Sequence, residues 1–467
     1  INEVQTKQII QNISPDVMLK PGAPAFAAHA IKHFKSVFNN VSELELAYFH
    51  SFYSFVTREQ YISKAGDTEN DSSKGISSLW LSSLKEKLDS GDIFTGLTIT
   101  ENHIEKDYQT IKLNIPKYEY DFLPNFRQGD IIILYERNDP KDKVTNKQII
   151  KGAIQNITQT EITIRLRYKQ RNKSVFPQNS KYAVEHDFLD SSYNTMYRGL
   201  YAFLQANQNR KDLLLNQKTE IAFDTSQKLN ADYSIQNGIE NQEINQIVLK
   251  AKQAKDYFLL IGPPGTGKTS IALKSMVEEF YSDNSTNILL LSYTNRAVDE
   301  ICDALDRVKN SPAYIRIGSE LSCNVYHRKR LLEKVIETCE NRNEVTEEIK
   351  KHRIFVGTIA SLSNKTELFK LKHFHVAIID EASQILEPNL LGILSAKNAN
   401  GFNAIDKFIL IGDHKQLPAV VLQNEEESEV NNPILQAIGL KNRRNSLFER
   451  LYNIHKTNKQ SMVWGML

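Results

Sequence analysis

Eight residues, Gly262-Pro263-Pro264-Gly265-Thr266-Gly267-Lys268-Thr269, constrain this chain more than any others. They follow the pattern G-x-x-x-x-G-K-T, a loop that cradles phosphate when it joins a strand to a helix. The flanks supply that setting. Tyr257 to Ile261 is an apolar run that reads as a buried strand, and Ser270 to Phe280 is an amphipathic run that reads as a helix. Glycines let backbone N–H groups curl around phosphate oxygens with no Cβ in the way. The helix start at Ser270 adds partial positive charge where the phosphate sits. Lys268 has the reach for β- and γ-phosphates, and the Thr269 hydroxyl is suited to Mg²⁺. ATP and Mg²⁺ are therefore the expected ligands. The alternative is a glycine-rich turn that carries a lysine by chance, and it does not account for both flanks.

Composition bounds the rest. A length of 467 residues gives a prior of about three domains. Lys and Arg number 58 against 56 Asp and Glu, so the net charge of +2 names no partner and local charge has to be read instead. Cys302, Cys323 and Cys339 are too far apart for a zinc or thioredoxin motif and suggest a reducing compartment. No apolar run approaches the roughly 18 residues of a membrane helix, and no signal peptide is visible. The expectation is a protein neither secreted nor membrane-bound: cytoplasmic in a bacterium, nuclear in a eukaryote. The chain opens on Ile1 rather than Met, so the true N-terminus is expected further upstream and no address is readable there.

Residues 1–120 read as a helical N-terminal region. Ser42-Glu43-Leu44-Glu45 has the form of a helix start, and Leu44, Tyr48, Phe52, Phe55 and Val56 recur at helical spacing. Such an aromatic stripe is core rather than a ligand box. Ala65 to Ser77 reads as a loop, and a helix resumes from Ser78 to Leu88, carrying Trp80.

Residues 121–190 read as a small β-barrel. Asp130 to Tyr135 and Ile149 to Ile157 are strand-like runs, the second with Gly152 as a candidate bulge. Ile162, Ile164, Leu166 and Tyr168 alternate with Thr163, Arg165, Arg167 and Lys169, a half-buried strand with one basic face. From Lys141 to Lys181 there are ten Lys or Arg against two Asp or Glu. Those cations could track a nucleic-acid backbone, or simply keep a strand edge soluble. With a nucleotide motif downstream, the first reading is favoured. Residues 191–235 read as a helical stalk, with an apolar face of Met196, Tyr197, Leu200, Phe203 and Leu204. Just after it, Gln242 offers a donor and an acceptor together, a match for the edge of adenine. A lone glutamine is more often a surface residue.

Residues 236–467 alternate apolar runs with helical stretches. Ile288 to Leu291, Ile315 with Ile317, Ile354 to Val356, Val376 to Ile379 and Phe408 to Ile411 read as strands of a parallel sheet covered on both faces. Ligands bind such sheets at the strands' carboxyl ends, where three of these runs end in polar residues. After Ile379 come Asp380, suited to hold Mg²⁺, and Glu381, suited to activate a water. After Ile411 comes Gly412-Asp413-His414-Lys415-Gln416, in which Gln416 could sense the γ-phosphate. Thr294 and Asn295 follow one strand and Thr358 another, and their hydroxyl, amide and backbone N–H groups could grip strand phosphates. Each of these three loops could equally be structural. The expected fold class is α/β.

Taken in order, GPPGTGKT, SYTNRAVDEI, GTIAS, DEASQ, GDHKQLPAV and SLFERL resemble the motif series of superfamily 1 helicases. DEAS at Asp380 and the spacing of Asn241-Gln242 to Gly262 resemble the 5′-to-3′ branch. Phe126 to Asp130, Ala254 to Tyr257 and Ile315 to Ser319 are most similar to its replication helicase–nucleases. The resemblance covers roughly residues 120 to 460. It implies a RecA-like ATPase lobe with a preceding barrel and stalk. It assigns Gln242 to adenine, Lys268 and Thr269 to phosphate and metal, Asp380 to Mg²⁺, Glu381 to base catalysis and Gln416 to γ-phosphate sensing. Asn295 and Thr358 would lie on the nucleic-acid track. The implied activity is ATP-driven 5′-to-3′ movement on single-stranded DNA. An RNA helicase of the nonsense-decay type and an ATP-gated scaffold without unwinding activity are its alternatives. The family's second RecA-like lobe would follow Leu467, so a fragment ending there is expected to be weakly active alone. A nuclease domain, where the intact protein has one, would precede Ile1.

Overall fold

Alternation of apolar and polar side chains closes residues 93–186 into a six-stranded antiparallel barrel. Its strands are β1 (Ile93–Ile104), β2 (Gln109–Asn114), β3 (Ile131–Glu136), β4 (Ile149–Ile157), β5 (Glu161–Leu166) and β6 (Tyr182–His186), in the order β1-β2-β5-β4-β3-β6 with β1 pairing β6. In β5, Ile162, Ile164 and Leu166 are buried while Thr163 and Arg165 are half-buried, as the pattern requires. Closure leaves no open sheet edge to protect. The computed structural model describes residues 2–65, 82–104, 109–118, 124–168, 175–177, 179–187, 191–218, 220–236, 239–240, 243–308, 312–413, 415–416 and 418–467.

The barrel corrects the sequence reading in two places. Its first two strands come from the stretch read as helical. In β1 the alternation is broken by register shifts between Phe94 and Leu97 and between Ile99 and Glu101, with Gly96 at φ 71°, so the period of two is masked. Gly152 is not a bulge. It pairs in register with Ile132 and Leu166, and a Cβ there would lie 2.7 Å from Ile164 Cγ2 and 2.9 Å from the Arg165 carbonyl. The residue is glycine because β5 passes too close for a side chain. The irregularity falls between Ile154 and Asn156.

The chain divides into two units, Gln60–Ser191, which holds the barrel, and Ile1–Glu59 with Ser192–Leu467. The second unit opens its strands with a short hairpin of β7 (Ile235–Gln236) and β8 (Ile239–Glu240). Its sheet has seven strands: β9 (Tyr257–Ile261), β10 (Ile288–Ser292), β11 (Tyr314–Ile317), β12 (Ile354–Thr358), β13 (Phe374–Ile379), β14 (Ile405–Gly412) and β15 (Trp464–Met466). All pair parallel, in the order β11-β12-β10-β13-β14-β9-β15. The central strands are apolar without interruption because both faces are covered. Tyr257, Leu259 and Ile261 face one core, and Phe258 and Leu260 the other. β15 was not legible beforehand, because a three-residue edge strand carries no periodicity.

The first core also takes in helix Glu43–Ala65 and helix Ser191–Leu204. The aromatic stripe Tyr48, Phe52, Phe55 and Val56 is fully buried there. Residues 2–59 and the stalk therefore belong to the body of the sheet unit rather than to regions of their own. Gly199 of the stalk meets Gly392 so closely that a Cβ on Gly199 would stand 2.8 Å from the Pro388 carbonyl. Trp80 lies outside the described residues.

Candidate nucleotide-binding cleft

β9, β14 and β13 are neighbours, so the polar residues at their carboxyl ends converge. After β9 the chain turns through Gly265 and Gly267, at φ 78° and 84°, values that L side chains rarely adopt. A Cβ on Gly262 would lie 2.6 Å from Lys268 Cγ. The loop therefore closes tightly on its own lysine. Lys268 Nζ donates to the carbonyls of Gly262 at 2.6 Å and Pro263 at 3.2 Å. Thr266 Oγ1 also donates to the Pro263 carbonyl, at 2.9 Å. The following turn, Lys268–Leu273, is a π-helix in which Ala272 N donates to Gly267 O at 3.0 Å, and the α-helix proper is Lys274–Tyr281. Single π-turns of this kind frequently occur at functional sites.

Across the cleft, Thr269 Oγ1 donates to Asp380 Oδ2 at 2.6 Å. Asp380 is 2% exposed, and its other oxygen accepts from Glu381 N at 2.9 Å. Burial raises its pKa above the ordinary aspartate value, while the Thr269 hydrogen bond opposes that rise. Glu381 sits in the left-handed region at φ 55°, a strain of about 1–3 kcal/mol for a residue with a Cβ. Its Oε2 is buried with no hydrogen-bond partner among the described residues. Burial, then Asp380, then Glu300 push its pKa up. Gln416 is half-buried on the cleft wall, its N–H donating to Asp413 O at 3.2 Å.

The cleft is about 460 Å³, and Gly265, Gly267, Thr269 and Ser270 line its loop side. Sequence reasoning missed one wall, the face of helix Asn295–Asp306 that brings Glu300 and Asp303, with Arg307 just beyond it. Positions 300, 303 and 307 share a helical stripe, but which way that stripe faces is set by packing. The walls carry five carboxylates, Asp413 included, against the cations Lys268 and Arg307. That balance repels a bare polyphosphate more than a magnesium-bearing one, because the metal cancels two of its charges. The donor set fits the metal: a hydroxyl and a carboxylate, both hard oxygens, already at contact distance.

Gly267→Ala tests the loop. The added methyl would lie 2.7 Å from Ile271 Cδ1 at a positive φ. Nucleotide affinity is expected to fall and stability to drop by about 1 kcal/mol. Nucleotide titration and thermal unfolding of the variant measure both, and unchanged affinity would show the left-handed turn to be dispensable.

The remaining expected site residues are placed as follows. Thr294 and Asn295 are exposed at a helix start, where Thr294 Oγ1 accepts from Ala297 N at 3.1 Å. Thr358 is 5% exposed, and its hydroxyl is committed to Ser361, donating to Oγ at 2.8 Å and accepting from N at 3.1 Å. That hydroxyl is a helix cap, so Thr358 has only its backbone left to offer a strand. In the barrel unit Arg165 is half-buried, and Arg167 is exposed over the Tyr168 ring at 5.7 Å. Gln242, the residue expected to read adenine, lies outside the described residues, as do Lys169 and His414. Pro263 and Pro264 are exposed on the loop.

His373, His375 and Asp406 bring their ligand atoms within 4.8 Å of one another. However, His375 Nδ1 accepts from Asn287 N at 2.9 Å, and His373 Nε2 is spent on Asp406 at 3.0 Å. A metal-bound imidazole donates through its other nitrogen, so this trio is a hydrogen-bonded cluster rather than a metal centre.

A family model described as an AAA domain matches residues 238–341 and 319–424. Among curated relatives, the DNA replication ATP-dependent helicase/nuclease JHS1 of Arabidopsis thaliana is 29% identical over 70% of this chain and 23% of its own length. The DNA replication ATP-dependent helicase/nucleases DNA2 of Bos taurus and Homo sapiens are each 26% identical, over 84% of this chain and 34% of theirs. This chain thus spans about a quarter to a third of the length of these three relatives. Coverage of 84% leaves too little unmatched to omit either the barrel or the sheet. The similarity therefore runs through both, and this chain is similar across its barrel and its sheet to the DNA replication ATP-dependent helicase/nucleases.

Proposed function

We propose that the sheet unit is a RecA-like ATPase lobe and that the intact protein moves 5′ to 3′ along single-stranded DNA, using ATP hydrolysis to unwind duplex. One observation carries this reading: the Thr269–Asp380 hydrogen bond at 2.6 Å, which joins a loop hydroxyl to a strand-end carboxylate 111 positions away. The same two oxygens are the natural ligands of Mg²⁺, which when bound neutralises phosphate charge. The loop N–H groups from Gly265 to Thr269 bind the phosphates. Lys268 leaves its carbonyl partners for the β- and γ-phosphates. Glu381, which lines the cleft, takes a proton from the attacking water, and Gln416 on the cleft wall senses the γ-phosphate. Gln242 is assigned to adenine on its place in the motif series alone. Thr294, Asn295, the backbone at Thr358 and the barrel's Arg165, Arg167 and Lys169 are proposed contacts for the strand. A nuclease within the intact protein and work in DNA replication follow the names of these relatives.

The experiment is ATP turnover with and without single-stranded DNA, for the native protein and for Lys268→Ala. Removing a cation aimed at the transferring phosphate is expected to cost about 10²- to 10³-fold in turnover. Full activity in Lys268→Ala would overturn the assignment. Matched DNA and RNA strands in competition identify the preferred sugar, and duplexes with a tail at one end or the other identify direction.

A further inference from the structure

The loop that carries Gln416 is held at both ends. At the near end Asp413 N donates to Ser383 Oγ at 3.3 Å, and Lys415 N donates to Asp413 Oδ1 at 2.9 Å. At the far end Leu422 N and Gln423 N donate to the two carboxylate oxygens of Glu59, at 3.0 Å and 2.7 Å. Between the ends, among the described residues, Pro418 to Val421 make no hydrogen bond. The Gln423 side chain completes the far clamp. Its Nε2 donates to Glu59 Oε1 at 2.9 Å and to the Phe55 carbonyl at 3.0 Å, and its Oε1 accepts from Arg58 Nε at 2.6 Å. Glu59 is 6% exposed and Gln423 1%. A carboxylate is buried this far only where donors meet it, and here three N–H groups do.

The place of that carboxylate is the second observation. Glu59 lies on helix Glu43–Ala65 and is the last residue of the sheet unit before the chain enters the barrel unit at Gln60. The chain returns at Ser192, in helix Ser191–Leu204. That helix is tied to the same turn, Tyr197 Oη donating to Thr57 Oγ1 at 3.2 Å and Tyr193 Oη to the Glu59 carbonyl at 3.4 Å. Both covalent passages to the barrel unit therefore start from one turn, and that turn grips the end of the Gln416 loop. Neither Glu59 nor Gln423 lines the nucleotide cleft.

We propose that Glu59 and Gln423 are positioning residues that couple the nucleotide cleft to the binding of single-stranded DNA. A γ-phosphate that draws on Gln416 shifts its loop, and the clamp passes the shift to helix Glu43–Ala65, which continues into the barrel unit. The inference rests on the ATPase reading above. Hydrogen-bonded networks joined to rigid helices are what carries such coupling over distance, whereas a loop end packed only by apolar contacts could slide. A clamp needed for stability alone has no reason to use a buried charge on the passage to the barrel.

The test measures a fluorescent thymidine oligonucleotide binding to the intact protein, with Mg²⁺ and either ADP or a non-hydrolysable ATP analogue. The two nucleotides are expected to give the native protein oligonucleotide affinities that differ by about 5- to 150-fold. Glu59→Ala should bring that ratio close to one. Gln423→Ala leaves the two backbone bonds to Glu59 in place and should reduce the ratio by about fivefold, the worth of roughly one hydrogen bond. In both variants ADP affinity and ATP turnover without DNA should stay at the native values. A native ratio of one, a ratio unmoved in the variants, or a loss of ADP affinity alongside the ratio overturns the proposal, the last because the clamp would then only support the fold. Should Glu59→Ala fail to fold, Gln423→Ala decides alone. A native protein without ATP turnover sinks the ATPase reading and this proposal with it. Normal turnover with an unmoved ratio sinks this proposal alone.

Discussion

Glu381→Gln is expected to leave ATP and Mg²⁺ bound while slowing hydrolysis by about 10²- to 10⁴-fold, the usual contribution of a positioned general base. The substitution keeps the shape of the side chain and removes its ability to take a proton. Three features single out Glu381 rather than its neighbour. Asp380 already spends both oxygens, one on Thr269 Oγ1 and one on Glu381 N. Glu381 keeps Oε2 buried and unpartnered. It also holds a left-handed backbone at φ 55° that a glycine would adopt more easily, so its carboxylate is placed there at the expense of strain. Burial and the adjacent Asp380 raise its proton affinity, which is what a base requires. Single-turnover hydrolysis together with a nucleotide-retention assay reads both halves of the prediction. Turnover unchanged in Glu381→Gln would remove it as the base, and loss of binding would make it a ligand of the metal instead.

The ends of the strands were legible because each obeys a local rule. The glycine loop needs fixed residues at fixed spacing, and apolar runs of five residues covered on both faces look like nothing else when helical stretches separate them. Asp380, Glu381 and Gln416 could be found as the polar stops of those runs. The acidic face of helix Asn295–Asp306 could not, because Glu300 and Asp303 reach the cleft only once the packing of Val298, Ile301 and Leu305 fixes the helix's rotation. The same limit explains Thr358, where a hydroxyl at a strand end looks available until Ser361 is seen to take it. Bulges hid the barrel's first strand by breaking its period of two. Nor does any local signal say that a helix from residues 43–65 fills the core of a sheet two hundred positions later. That is a long-range fact, carried by Tyr48 and Glu387.

That contact leads to the largest expected effect on stability. Arg450→Met should destabilise the sheet unit by about 3–5 kcal/mol, the usual result of leaving a buried charge without its partner. Arg450 and Glu387 are 2% and 0% exposed. The guanidinium is bidentate on the carboxylate, Nε to Oε1 at 2.7 Å and Nη2 to Oε2 at 3.0 Å, and also donates to the carbonyls of Ile438 at 3.2 Å and Leu214 at 2.8 Å. Tyr48 donates to Glu387 Oε2 at 2.6 Å. One guanidinium, with the carboxylate it holds, therefore ties together helices Glu43–Ala65, Gln208–Leu214, Glu387–Leu394 and Leu447–Thr457. Its loss strands Glu387 in an apolar layer and leaves two carbonyls unpaired. Total domain stability is about 5–15 kcal/mol, so the single change consumes a large part of it. The attribution rests on the companion variant. Arg450→Met combined with Glu387→Leu removes both charges, and it should recover much of the loss. Chemical denaturation of the native protein, both single variants and the double variant closes the cycle. A single variant within about 0.5 kcal/mol of native, or a double variant no better than the sum of its parts, would show that the pair is not what holds these four helices together. Helix Glu387–Leu394 begins just past the Asp380-Glu381 turn, so the same anchor also fixes the segment that follows the proposed catalytic base.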